Sequence, residues 1–158
     1  MVRDREYRKK ELRLKGLLLF LLYMGVLVYF LFFADWYGHV PGTGSEYSLN
    51  LVPFFEIRRF IRARRQLGNV AVFLNLLGNI IGFLPFGFFL PVISRRFHNV
   101  FLVTGFGCVV SSCVEYTQYV LRDGCCDVDD VILNTLGAFL GYVMFIALDA
   151  LRRKIYDE

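Results

Sequence analysis

Four stretches of this 158-residue chain carry no Asp, Glu, Lys or Arg: those between Lys15 and Asp35, Arg65 and Arg95, Arg96 and Glu115, and Asp130 and Asp149. Each is close to the ~20 apolar residues with which an α-helix crosses the hydrocarbon core. Lipid offers the backbone no hydrogen bonds, so only helices or a closed barrel satisfy every N–H and C=O there. The chain is 56% hydrophobic and 17% aromatic, with mean hydropathy +0.50, which is too apolar for an ordinary soluble domain of this size. An all-α membrane protein follows, with four transmembrane helices at 16–34, 70–93, 97–120 and 130–149. The first stretch follows a basic segment, as a cleaved signal peptide does. Its apolar run is longer than the about 7–15 residues of a signal core, and Phe32-Phe33-Ala34 lacks an A-x-A cleavage form, so a retained anchor is expected.

The net charge of +4 reports topology rather than nucleic-acid binding. Arg3, Arg5, Arg8, Lys9, Lys10, Arg13 and Lys15 lie in the N-terminal segment 1–15, Arg95 and Arg96 between the second and third spans, and Arg152, Arg153 and Lys154 in the tail 150–158. Four spans put all of these on one side, which the positive-inside rule makes cytoplasmic, together with both termini. Arg58, Arg59, Arg62, Arg64 and Arg65 run against the rule in the external loop 35–69, as does Arg122 in the external loop 121–129. Twelve basic residues of 18 still favour this orientation.

Within the first external loop, Gly38, Pro41, Gly42, Gly44 and Ser45 mark irregular chain, and a helix over about 53–67 follows. Phe54, Ile57, Phe60 and Ile61 share one face of it, while Arg58, Arg59, Arg62 and Arg65 gather opposite. This reads as an external, basic amphipathic helix lying in the headgroup layer. Its arginines either tether the chain to anionic lipid or bind the phosphate or carboxylate of a ligand head group.

Polar side chains inside the spans need partners or a task. Asn75 and Asn79 are four apart in the second span, Glu115 and Gln118 three apart in the third, and Asp127, Asp130, Asn134 and Thr135 open the fourth. Taken singly, each has a structural reading. The amides suit interhelical hydrogen bonds worth about 0.6 to 2 kcal/mol, Glu115 suits an ion pair with Arg122, and Asp127 suits a helix N-cap. Pro85 is expected to kink or interrupt the second span, and Gly137 and Gly141 to let another helix approach. Topology, however, places all the polar groups in the outer leaflet, which scattered packing amides would not require. One externally opening polar cavity is expected, lined by three helices and roofed by the arginine helix and residues 50–55.

Cys108 and Cys113 fall on different faces of the third span and read as packing residues. Cys125 and Cys126, in the second external loop, could form disulfides in an oxidising exterior, but a bridge between neighbours would be strained. Neither His39 nor His98 lies near them, so no metal and no cofactor is assigned.

Several spaced motifs carry a family resemblance over about 50–142. Asn50-Leu51-Val52-Pro53-Phe54, Asn75-Leu76-Leu77-Gly78-Asn79, Phe83-Leu84-Pro85-Phe86-Gly87, Glu115-x-x-Gln118 and Asp127-Val128-Asp129-Asp130, continuing to Asn134-Thr135-Leu136-Gly137, together resemble the VanZ-like family. The first span resembles it in hydropathy alone. The resemblance implies a small multi-pass protein of the bacterial cytoplasmic membrane, associated with resistance to the lipoglycopeptide teicoplanin.

Three functions fit these residues. In a binding module, Asn75, Asn79, Glu115, Gln118, Arg122, Asp127, Asp130 and Asn134 would line a site for a drug, a membrane lipid or a lipid-linked cell-wall precursor. In an intramembrane enzyme acting on an envelope lipid, Glu115 with Asp127 or Asp130 would be general acid and base or hold a divalent cation, Glu115 and Asp130 being the catalytic candidates. In an envelope adaptor, the polar cluster would only fix helix packing. Oligomeric state is not legible in the sequence.

Overall fold

The computed structural model describes residues 2–32, 49–67, 69–121 and 126–156. Five helices dominate: α1 (Val2–Phe32), α2 (Phe55–Leu67), α3 (Asn69–Ile93), α4 (Val100–Leu121) and α5 (Val128–Tyr156). Residues Lys10–Phe32, Leu76–Ile93, Val100–Leu121 and Val128–Ile155 are long and apolar enough to cross a membrane. The chain is an all-α, multi-pass membrane protein, and the strands among the described residues amount to a two-residue parallel pair, β1 (Leu49–Asn50) and β2 (Cys126–Asp127). The expected irregular loop at 38–48, Cys125 and Arg122 lie outside the described residues.

The most extensive helix pair is α3 with α5, where the two backbones nearly touch. A Cβ added to Gly141 would lie 2.0 Å from the Leu84 carbonyl oxygen, and one added to Gly137 would lie 2.3 Å from that of Ile80. These two glycines, one turn apart, let α3 settle into α5 without a hydrophobic driving force between the helices. Phe83, Phe86, Leu90, Val103, Ala138 and Tyr142 close the core around this contact.

Of the two outcomes expected at Pro85, interruption does not occur, since α3 is a single helix through both Pro85 and Pro91. Pro85 lacks the N–H that would bond the Ile81 carbonyl, so the hydrogen-bond ladder is weakest there. At the next carbonyl along, Gly82, the Tyr23 hydroxyl of α1 donates a 2.6 Å hydrogen bond. Beyond α3 a 3₁₀ turn, Arg95–Phe97, reverses the chain, and the exposed His98 ring lies 3.1 Å from the Pro91 carbonyl through Nε2.

Large apolar side chains of α1, α4 and α5, among them Leu18, Leu22, Phe101, Val109 and Ile146, are exposed. On membrane spans these are the surfaces that meet acyl chains. The half-buried residues of α2, Ile57 and Phe60, mark its inner side, while Arg58, Arg59, Ile61 and Arg62 are exposed.

The α3–α5 contact is tested by two helical Gly→Ala changes that gain the same helix propensity. Gly141→Ala should be less stable than Gly25→Ala, whose added Cβ meets nothing within 4 Å, by the about 1–3 kcal/mol typical of overpacking. Thermal unfolding in detergent measures the difference.

Candidate functional site

One end of the bundle gathers most of the polar residues that the sequence singles out. The β1–β2 pairing sets Leu49 beside Cys126 and Asn50 beside Asp127. This brings the segment before α2 against the start of α5, 77 positions away in sequence. Asn50 Nδ2 donates to Asp127 Oδ1 at 3.2 Å, and the Asp127 N–H donates to Glu115 Oε2 at 3.0 Å. Asp127 is also the N-cap of α5, its Oδ1 accepting the Asp129 N–H at 2.9 Å. One aspartate thus joins three segments: residues 49–50, the end of α4 and the start of α5.

Asp129 has a different task. Although it sits in the first turn of α5, its carboxylate accepts the backbone N–H groups of Phe54 and Ile57, the latter at 3.0 Å through Oδ2. Phe54 occupies the N-cap position of α2, where its own side chain has no acceptor to offer. Its φ of 64° lies in the left-handed region, which bulky residues rarely adopt. Asp129, 1% exposed, supplies the missing cap from another helix.

Asp130, on the next face of α5, accepts a hydrogen bond from Asn79 Nδ2 of α3. Glu115, 4% exposed, and Asp130 are therefore both engaged, as are two further predicted site residues. Asn134, 2% exposed, donates to Ser111 Oγ at 2.8 Å and ties α5 to α4. Gln118 donates to the Leu31 carbonyl at 2.9 Å, completing one of the last carbonyls of α1. The structure thus brings Asn79, Glu115, Asp127 and Asp130 into one polar cluster, and gives Asn134 and Gln118 separate interhelical bonds. Asn75 and Arg65 lie on α3 and α2, their side chains outside the description, and Arg122 lies outside the described residues. The expected Glu115–Arg122 pair falls there too.

Two groups in this end escaped the sequence reading. Ser111 lies beside Ser112 in an apolar helix, and nothing in the sequence distinguishes the buried one. Glu56 could have been found as the i,i+3 partner of Arg59, which it meets at 2.8 Å. Burial raises the Glu56 pKa above the ordinary range; Arg59 opposes the rise, and Asp127 and Asp129 add to it. The Asp127 pKa is raised first by burial. The Asp129 N–H opposes this, the Asp129 carboxylate reinforces it, and Asn50 and Arg59 oppose it. Arg59 is thus the guanidinium that acts on both carboxylates.

Beside α2 a groove of about 560 Å³ opens, lined by Arg58, Arg59 and Arg62 together with Val52, Pro53 and Phe55. Arg58 and Arg62, one turn apart, are exposed and have no acidic partner among the described residues. The groove therefore combines cationic donors with an apolar wall. Among the described residues no group of three or more His, Cys, Asp or Glu has the geometry of a metal site.

Residues 20–149 match the family model VanZ/LLP1. The chain belongs to the VanZ family. The match takes in much of α1 as well as every motif quoted above. Protein VanZ of Enterococcus faecium is 31% identical over 131 residues, which cover 78% of this chain and 69% of its own. No solved structure matches the chain. Within this VanZ-family fold, the matched residues 20–149 include both the lent cap, Asp129, and the strand residue Asn50 that bonds Asp127.

Two outcomes follow. Asp129→Ala strips the acceptor from two amides, so it should cost about 1–3 kcal/mol and speed hydrogen exchange at Phe54 and Ile57, with exchange elsewhere in the bundle unchanged. The second concerns pH. Because Glu56 and Asp127 bind protons more tightly folded than unfolded, their contribution to stability is complete below the ordinary carboxylate range and is lost as pH rises through the raised values. Asn caps as well as Asp, so Asp127→Asn should flatten the pH dependence of thermal unfolding without lowering stability at neutral pH.

Proposed function

We propose that this VanZ-family protein is a head-group-binding module of the bacterial cytoplasmic membrane that contributes to resistance of the teicoplanin type. Both termini face the cytoplasm in this reading, and the polar end of the bundle opens outward. The charge distribution supports that orientation: Arg95, Arg96, Arg152 and Arg153 lie at the end of the bundle away from Glu115 and Asp127. Teicoplanin-type drugs bind cell-wall precursors outside this membrane, so an outward-facing site is where such a contribution has to act.

The observation that carries the reading is the groove beside α2. Arginines attract an anionic head group and bond it through a planar fork of donors. Val52, Pro53 and Phe55 offer apolar surface for the start of a lipid tail. A drug, a membrane lipid and a lipid-linked cell-wall precursor all share this anionic, amphiphilic character. The carboxylate cluster supports the groove from behind rather than receiving the head group: Asp129 holds α2, and Asp127, Asp130 and Glu115 join that end of the bundle to α3, α4 and the β1 segment. A catalytic role for Glu115 and Asp130 has less support, because each is already bonded to a neighbouring element.

Expression of the protein in a susceptible Gram-positive host tests this reading. The double variant Arg58→Gln/Arg62→Gln should lose most of the protection against teicoplanin at unchanged membrane abundance, and Asp130→Asn should weaken it by loosening the support. Full protection in the arginine variant, with normal abundance, would refute the reading.

A further inference from the structure

We infer that the α2 groove receives a phosphate group carried on a lipid, with the tail leaving over Val52, Pro53 and Phe55. This deepens the head-group reading and rests on it. The charge pattern comes first. Arg58 and Arg62 stand at i and i+4, where like charges repel unless an anion lies between them. Neither has an acidic partner among the described residues, whereas Arg59 spends one nitrogen on Glu56 and sets its guanidinium 5.8 Å from the Phe60 ring centroid. The groove therefore holds two uncompensated guanidiniums and a third that is half engaged.

The number of donors selects the ligand class. A carboxylate is planar and has two oxygens, which a single guanidinium fork satisfies. A phosphate monoester is tetrahedral and presents three terminal oxygens with a charge of about −1.5 to −2 near neutral pH. Two arginines approaching from successive turns suit the second geometry and its charge. The α2 N-terminus is not the anion site, because its amides already bond Asp129.

Two further features fix where the lipid lies. Glu56 and Asp129 stand at the start of α2, so negative charge repels the phosphate from the bundle interior and keeps it on the arginine side. The groove, about 560 Å³, is far larger than one phosphate, and its remaining wall is apolar. Leu51 and Phe54, also exposed, extend that apolar surface beyond the groove. Free phosphate would leave this surface wet, whereas a lipid phosphate covers it.

Calorimetric titration of the full chain in a neutral detergent tests the assignment, with dioctanoyl phosphatidic acid, the same diacylglycerol carrying a succinate ester, and inorganic phosphate as probes. The phosphatidic acid should bind about tenfold or more tightly than either other probe. Arg58→Gln/Arg62→Gln should lose about tenfold or more of that affinity. Arg58→Lys/Arg62→Lys, which keeps the charge but lacks the planar fork, should lose less, and serves if the glutamine variant does not fold. Equal binding of the succinate lipid would overturn the phosphate assignment and leave the head-group reading standing. Equal binding of inorganic phosphate would overturn the lipid. No binding of either lipid would overturn the head-group reading itself, and unchanged affinity in both arginine variants would overturn the placement in this groove.

Discussion

The polar end of this protein depends on a helix cap supplied by the wrong helix. Phe54 cannot cap α2, and its backbone is held in a left-handed conformation that a phenylalanine does not choose. The Asp129 carboxylate compensates by accepting the Phe54 and Ile57 amides. A cap in the local sequence would stabilise α2 wherever α2 lay. A cap from α5 stabilises it only in one place, beside the start of α5, so the bond specifies position as well as helix formation. Arg58 and Arg59 follow immediately in the same turn and inherit that position.

The lent cap works because α5 is itself fixed. Gly137 and Gly141 bring its backbone onto that of α3, and the same approach puts Asn79 within reach of Asp130. Had either glycine carried a side chain, the two helices would separate and the amide would lose its carboxylate. Close packing below and hydrogen bonding above therefore enforce one register. Tyr23, Gln118 and Asn134 add bonds from α1 to α3, α4 to α1 and α5 to α4, each to a group that lipid would leave unsatisfied.

Much of the architecture was legible because charge-free length is a direct physical requirement of a span. The four helices and the helical face of Arg58, Arg59 and Arg62 follow from spacing alone, and the glycine pair signalled close approach. The bonding partners were less legible. Three aspartates within four residues exceed what one N-cap needs, yet nothing local says that the surplus one serves a helix 72 positions earlier. The β1–β2 pair is two residues long and has no periodicity to detect. Pro85 was ambiguous in another way: a proline in mid-helix leaves kinking and interruption both open, and α3 runs through it without interruption.

The proximity of five carboxyl groups and several arginines raises the question of why they do not simply neutralise one another. Geometry prevents it. Asp129 spends both oxygens on backbone amides, and Asp127 and Asp130 each spend Oδ1 on neutral N–H donors. Among the described residues only Glu56 reaches an arginine of α2, and it reaches Arg59. Neutral donors stabilise a carboxylate without cancelling its charge, and the raised pKa values of Glu56 and Asp127 follow from that burial and crowding. The guanidiniums of Arg58 and Arg62 consequently stay exposed and without an acidic partner among the described residues. Buried carboxylates around the start of α2 and exposed arginines along its next turns give this end of the bundle a built-in polarity, with Arg59 at the boundary between the two.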